Sequence, residues 1–334
     1  MNIAVLGAGA WGTALAIQVA RQHPVTLWAR NAQQVARMQA ERANPQYLGD
    51  YPFPDNLQVS NDLQATLAAA DMVLSVVPTS GLRDMLRTIN ASGCKAPVLW
   101  ACKGLESGTA KLSPEIAVEE LAPGHAWGIV SGPNFASEVA RGLPAGMTLA
   151  SADVGFAREA AAVLHGGSLR VYTSDDVIGV AVGGAVKNVM AIAAGISDGM
   201  SFGNNARAAL ITRGLAEITR FGMALGGRLE TFMGLAGAGD LILTCTGDAS
   251  RNRTVGLRLA GGETLQQIIS SLGHVAEGVN TARAVLERAR TLGVDMPITE
   301  EVVKVLFEDK SPREAVEHLL SREQKPENNY HLPA

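Results

Sequence analysis

From Ile178 to Ile196 the chain reads IGVAVGGAVKNVMAIAAGI, and every residue in that run is apolar, glycine or alanine except Lys187 and Asn188. A segment of helical length with no polar face makes a helix buried on most of its sides. An ammonium inside such a helix is costly unless it is paired or gives up its proton. Lys187 is therefore either a partner in a structural ion pair or a group whose pKa is lowered for proton transfer. A membrane span is rejected for this run because it is short, rich in glycine and alanine, and broken at its middle by Lys187-Asn188. It is expected to be the core helix of a soluble domain.

The rest of the chain divides around this helix. Before it, short apolar runs alternate with helical patterns; after it, the periodicity is helical throughout. A chain of 334 residues is long for one hydrophobic core. The expected fold is α/β, with an N-terminal Rossmann-type, doubly wound, mostly parallel sheet over residues 1–176. An all-helical domain over 177–320 and a polar, frayed tail over 321–334 follow. A net charge of -4 gives no basic face for nucleic acid or an anionic membrane. Cys94, Cys102 and Cys245 are too scattered for a disulfide framework or a zinc cage. Met1-Asn2 runs straight into IAVLG, so no leader is expected before the first strand, and a cytoplasmic location is expected.

The first strand, Asn2 to Leu6, runs into Gly7-Ala8-Gly9-Ala10-Trp11-Gly12 and then the helical stretch TALAIQVARQ. Placed between a strand and a helix, GxGxxG is the dinucleotide fingerprint. Gly7 permits the turn, Gly9 lets a diphosphate approach the backbone, Gly12 lets helix pack on strand, and the helix N-terminus offers free N–H groups. The second strand, Val25 to Ala29, ends at Arg30-Asn31, where an acid would hold a ribose 2′-hydroxyl. Arginine suits a 2′-phosphate instead, which favours NADPH over NADH, although a solvated charge at a strand end would look the same.

Further strands are expected at Asp71 to Val77, Pro97 to Ala101, WGIVS, MTLAS and LRVYTS, with Asn44 to Pro54 a proline-broken loop. Lys103 follows the Pro97–Ala101 strand, where a doubly wound sheet puts ligands, or else it is a surface lysine in a turn. Ser131-Gly132-Pro133-Asn134-Phe135-Ala136 is a second strand-to-loop junction with small polar residues. In the helical half, Gly234 to Asp240 reads as a close-packed turn that positions Asp240. Ser250-Arg251-Asn252-Arg253, before the helical run TVGLRLAGG, combines a serine or asparagine cap, an arginine and free helix N–H groups and so resembles a phosphate site. A capping motif with solvated arginines is the plain alternative.

Together these parts suit ketone reduction where the two domains meet. That reaction needs a hydride donor, an acid to protonate the developing alkoxide, and groups that orient the substrate. Lys187 fits the acid, Asp240 sets its charge and orientation, and Lys103 holds the carbonyl or a neighbouring hydroxyl. Ser250, Arg251 and Asn252 anchor a phosphate at the far end. No metal is required.

The segments GAGAWGTALA, KGLE at Lys103, SGPNFASEVA, AVKNVMAIAAGISDG, ALITRGLAEI, GLAGAGDL, SRN and AEGVNTA occur in order across nearly the whole chain. They closely resemble the bacterial NAD(P)-dependent glycerol-3-phosphate dehydrogenases. The resemblance implies interconversion of dihydroxyacetone phosphate and sn-glycerol 3-phosphate, which supplies glycerophospholipid synthesis, and a homodimer. It implies Lys187 as proton acceptor and substrate contacts from Lys103, Gly132, Asn134, Asp240, Ser250, Arg251 and Asn252. Cofactor contacts fall on Trp11, Arg30, Lys103, Ala136, Arg251, Val275 and Glu277. Two positions depart from the pattern: Asn134 stands where the family usually has serine or threonine, and Ala10 where it often has serine. The rival readings are a ketopantoate or β-hydroxyacid reductase of similar build, and a non-catalytic NADPH-sensing module.

Overall fold

The computed structural model describes residues 1–272 and 276–324, and they form two compact units. The first comprises Met1–Cys102 and Ser113–Val177; the second takes Lys103–Leu112 together with the chain from Ile178 onward.

In the first unit strands and helices alternate. They are β1 (Ile3–Leu6), α1 (Ala10–Ala20), β2 (Val25–Trp28), α2 (Ala32–Glu41), β3 (Leu57–Ser60), α3 (Leu63–Ala68), β4 (Met72–Ser75) and α4 (Leu82–Ala91). There follow β5 (Val98–Trp100), α5 (Ser113–Glu120), β6 (Trp127–Ser131), α6 (Ala136–Arg141), β7 (Ala145–Ala150), α7 (Val154–Leu164) and β8 (Leu169–Ser174). They build one eight-stranded sheet in the order β3-β2-β1-β4-β5-β6-β7-β8. Each neighbouring pair is parallel except β6 with β7, which is antiparallel. The order reverses between β1 and β4, and a doubly wound sheet opens a ligand crevice beyond the strand ends at such a switch point. β1 and β4 are buried along their whole length, as inner parallel strands covered on both faces must be.

β3 was not expected. Leu57–Ser60 lies beyond the prolines of the Asn44–Pro54 loop and is too short to show a period, yet it pairs in register with β2 from Val25↔Leu57 to Trp28↔Ser60. α6 was likewise hidden behind the Ser131–Ala136 junction.

The second unit is built on α8 (Val177–Gly199), followed by α9 (Gly203–Ala224) and α10 (Leu229–Met233). One π-helical turn (Leu235–Gly239) then runs into α11 (Asp240–Thr246). The remaining helices are α12 (Arg251–Ala260), α13 (Leu265–Leu272), α14 (Glu277–Thr291), α15 (Pro297–Phe307) and α16 (Pro312–Leu320). At 23 residues α8 is long and apolar enough to cross a membrane by length and composition, so shortness is not what decides against that reading. Burial decides it, since 89% of its most apolar window lies inside the protein.

Glycines let neighbouring helices come within backbone contact of α8. A Cβ added at Gly195 would lie 2.0 Å from the Arg253 carbonyl oxygen, and one at Gly256 would lie 2.0 Å from that of Ile192. α8 and α12 therefore touch backbone to backbone, which fixes the start of α12 relative to Lys187. Leu105 and Leu112 bridge each other and bury themselves in this helical core. That anchorage is why Lys103–Leu112 leaves the sheet and folds with the helices.

Candidate active site

Three of the residues singled out by sequence meet inside the second unit. Asp240, the first residue of α11, is 1% exposed, and its two carboxylate oxygens accept one ammonium each: Oδ1 from Lys187 and Oδ2 from Lys103. The π-helical turn before α11 places it there; the region expected to be a simple turn is helical, and its wider winding brings Asp240 in at the head of the next helix. Lys187 also donates to Thr244 Oγ1 at 2.8 Å. Thr244 donates its own proton to the Asp240 carbonyl oxygen one turn back, at 2.6 Å, which leaves its lone pairs for the lysine.

Electrostatics sets the protonation of this cluster. Burial pushes the Lys187 pKa down from 10.5 to about 8; Asp240 opposes that shift and the positive charge of Lys103 adds to it. Burial alone would raise the Asp240 carboxyl, but the two ammonium groups outweigh it and hold the carboxyl below its ordinary value. The result is a fixed carboxylate between two cations, one of them able to exchange a proton near neutral pH.

A line of buried amides continues from this cluster. Asn188, next to Lys187 on α8, donates to the Lys103 carbonyl oxygen at 3.2 Å. Its Oδ1 accepts from Asn252 Nδ2 at 3.0 Å, and Asn252 Oδ1 accepts the Gly278 N–H at 3.0 Å. Ser250 caps α12, its hydroxyl accepting the Arg253 N–H at 3.3 Å. Arg251 stands exposed at the first helical position. Arg253, by contrast, is held by Asp198 and Asp248 at 2.8 and 3.0 Å and is a structural cation. The capping and anion readings of this segment thus coexist: Ser250 caps by taking the Arg253 N–H, while Arg251 stands on the outside of the same turn. Glu277 opens α14, half-buried. Val275 lies outside the described residues.

The first unit holds the remaining candidates. Gly7 has a φ of +119°, and a Cβ there would press to 2.8 Å from the Val76 carbonyl oxygen. A Cβ on Gly12 would sit 1.9 Å from the Gly7 carbonyl oxygen, so this glycine fits helix to turn. Gly9 differs: a Cβ there meets nothing within 4 Å. Space opens at the N-terminus of α1, directly at the switch point of the sheet, and these residues fit the diphosphate of a dinucleotide. Ala10 and Trp11 begin α1, half-buried beside that space. Arg30 is exposed, and Asn31 next to it caps α2 by accepting the N–H groups of Gln33 and Gln34.

Gly132, with φ +145°, lies against β7, where a Cβ would be 2.9 Å from the Gly146 carbonyl oxygen. Asn134 donates to that same oxygen at 3.0 Å, while its Oδ1 is buried without a hydrogen-bond partner among the described residues. Ala136 is the first residue of α6.

Comparison with known proteins matches this arrangement half by half. Residues 2–157 match the N-terminus of NAD-dependent glycerol-3-phosphate dehydrogenase, and residues 176–317 match its C-terminus. The chain belongs to the glycerol-3-phosphate dehydrogenase family. The glycerol-3-phosphate dehydrogenase [NAD(P)+] of Methylobacillus flagellatus is 64% identical over 327 residues, 98% of this chain and 99% of that one. The crystal structure of glycerol-3-phosphate dehydrogenase from Coxiella burnetii superposes with a TM-score of 0.91 at 43% identity, covering 96% of this chain and 99% of that chain. A ketopantoate reductase from Ralstonia eutropha shares only the fold, with a TM-score of 0.59 at 17% identity, covering 95% of this chain and all of that one.

Sequence reasoning missed Thr244 in this dehydrogenase and gave Asn188 no task. Thr244 was within reach, since it stands one helical turn after Asp240 on the same face. The bond from Asn188 to the Lys103 carbonyl spans residues far apart in sequence and carries no local signal.

Proposed function

We propose that the chain interconverts dihydroxyacetone phosphate and sn-glycerol 3-phosphate with a nicotinamide dinucleotide, with Lys187 as the group that gives and takes the proton. The observation that carries this reading is Lys187 itself: buried, bonded to Asp240 and Thr244, and with a pKa brought down to about 8. When bound, the dinucleotide supplies or accepts the hydride.

The chain's own residues divide the remaining work. Lys187 protonates the oxygen of the developing alkoxide during reduction and, neutral, removes the hydroxyl proton during oxidation. Asp240 keeps Lys187 oriented and holds Lys103 beside it, so two cations flank the reacting oxygen and stabilise its growing negative charge. Arg251 and the N–H groups at the start of α12 take the substrate phosphate. Asn252 is fixed from behind by Asn188, which keeps that turn in register with Lys187. Binding energy gained at the phosphate aligns the carbon that exchanges hydride. Gly132 and Asn134 complete the substrate contacts. On the cofactor side Gly7, Gly9, Ala10, Trp11 and Gly12 receive the diphosphate, and Ala136 and Glu277 contact the remainder.

Arg30, exposed at the end of β2, supports NADPH as the preferred partner, because its charge suits a 2′-phosphate. Family likeness supports a cytoplasmic homodimer, and no step in this scheme calls for a metal. The test is a substrate panel followed through NADPH absorbance. Turnover with dihydroxyacetone phosphate and none with ketopantoate or β-keto acids is expected; the reverse pattern, or binding of NADPH without turnover of any ketone, would sink the assignment.

A further inference from the structure

The glycine turn of the first unit is gripped from behind by two side chains that have no part in the scheme above. Gln34, in the first turn of α2, and Asn44, just beyond α2, each donate a side-chain N–H to the Ala8 carbonyl oxygen at 2.9 Å. Asn44 also donates to Thr13 Oγ1 on α1 at 2.7 Å. Both Asn44 and Thr13 are buried, at 1% and 0% exposure. The Asn44 backbone is held in turn, its carbonyl accepting the N–H groups of Leu48 at 2.9 Å and Gly49 at 3.1 Å.

The direction of one peptide plane follows from this grip. In a trans peptide the C=O and the next N–H point to opposite sides. Drawing the Ala8 carbonyl toward Gln34 and Asn44 therefore turns the Gly9 N–H the other way. On its far side Gly9 is also fixed, because its carbonyl accepts the Thr13 N–H at 3.0 Å as the first bond of α1. Of the three glycines of the turn, Gly9 is the one with open surroundings, where a Cβ would meet nothing within 4 Å.

We propose that Gln34 and Asn44 are positioning residues for the dinucleotide: by clamping the Ala8 carbonyl from α2 and the segment after it, they aim the Gly9 N–H at the diphosphate. This rests on the dinucleotide reading of the first unit. The clamp also couples two parts of the cofactor site. Gln34 sits on the helix that Arg30-Asn31 opens, and Asn31 Oδ1 accepts the Gln34 backbone N–H at 3.1 Å. One short element thus carries both the residue suited to the 2′-phosphate and the brace of the diphosphate turn. An N–H that meets an anion bonds strongly only when aligned, so a misdirected Gly9 peptide loses affinity without altering the fold.

The test uses the full chain as wild type, Gln34→Leu and Asn44→Leu, titrated with two ligands that cannot turn over. One is 2′-phospho-ADP-ribose, which carries the diphosphate; the other is adenosine 2′-monophosphate, which lacks it. Gln34→Leu is expected to weaken the first about tenfold (~1.4 kcal/mol) while leaving the second, and the melting temperature of the ligand-free protein, unchanged. Gln34→Met, which keeps the chain length and removes the N–H donors without adding a charge, is expected to lose as much. Asn44→Leu is expected to weaken the first probe further, and if its burial makes that variant unstable, Gln34→Leu decides alone. Equal losses for both probes, or none for either, would overturn the proposal and leave the pair as a general brace. A wild type that binds neither probe would overturn the dinucleotide reading itself.

Discussion

Replacing Asp240 by asparagine keeps the shape of the side chain and removes the charge that two lysines share. Asp240 is 1% exposed and accepts from both Lys187 and Lys103. An asparagine oxygen can satisfy one ammonium, and its NH2 then faces the other, donor to donor. Breaking a buried pair in this way costs roughly 3–5 kcal/mol. The lower end applies, because Lys187 can shed its proton and the Lys103 side chain, 20% exposed, can reach water. The kinetic consequence has a definite direction. Burial and Lys103 both push the Lys187 pKa down, and Asp240 is what holds it up at about 8. In Asp240→Asn only the downward influences remain. The acid limb of kcat/KM for glycerol 3-phosphate oxidation, which reports the free enzyme and where Lys187 must be neutral, should therefore lie near pH 8 in the wild type and move to lower pH in the variant. Initial rates across pH, with urea denaturation of both proteins in parallel, read both effects. A limb that stays in place or moves upward while the variant remains folded would refute this account of the cluster.

The other expectations concern residues farther from the proton. Gly9→Ala should leave the ligand-free melting temperature unchanged yet weaken NADPH binding at least tenfold, because its Cβ enters open space meant for the diphosphate, whereas Gly12→Ala should destabilise the protein itself, its Cβ falling 1.9 Å from the Gly7 carbonyl oxygen; thermal melts with and without NADPH separate the two. Arg30→Ser should lower the ratio of kcat/KM for NADPH over NADH about tenfold by losing a charge-assisted bond to the 2′-phosphate, and an unchanged ratio would remove Arg30 from cofactor choice. Burial raises the Glu217 carboxyl from 4.5 to about 7, opposed by the N–H groups of Ile298 and Thr299. A carboxyl whose folded pKa is raised contributes stability fully present below its unfolded value and lost as pH climbs through its folded one. Glu217→Gln should therefore flatten the fall in urea midpoint between about pH 5 and about pH 8, and an equal fall in both proteins would contradict this.

Much of the architecture was legible because it rests on local pattern. The unbroken apolar character around Lys187 gave α8, and GxGxxG between a strand and a helix gave the turn at β1. What escaped was set by tertiary contact. β3 is four residues beyond a proline-rich loop and exists because β2 offers it an edge. Lys103 could be ranked only as a ligand-facing or a surface lysine, since nothing local says that Leu105 and Leu112 bury in the helical core and bring it to Asp240. Gln34 and Asn44 looked like ordinary polar residues of a helix and a loop; their bonds to Ala8 cross 26 and 36 residues of chain. Arg253 was given no role of its own beside Arg251, and its pairing with Asp198 and Asp248 is what marks it as the structural arginine of the two.

The central claim is that Lys187 moves the proton of a dihydroxyacetone phosphate reductase. The direct measurement is NADPH oxidation by the wild type and by Lys187→Met with that substrate, each shown to be folded and to bind NADPH. Loss of a positioned acid of this kind costs roughly 10²–10⁴ in kcat, and a loss of that size in a folded, NADPH-binding variant is the predicted result. Equal turnover by the two proteins would make Lys187 a buried structural charge and contradict the account.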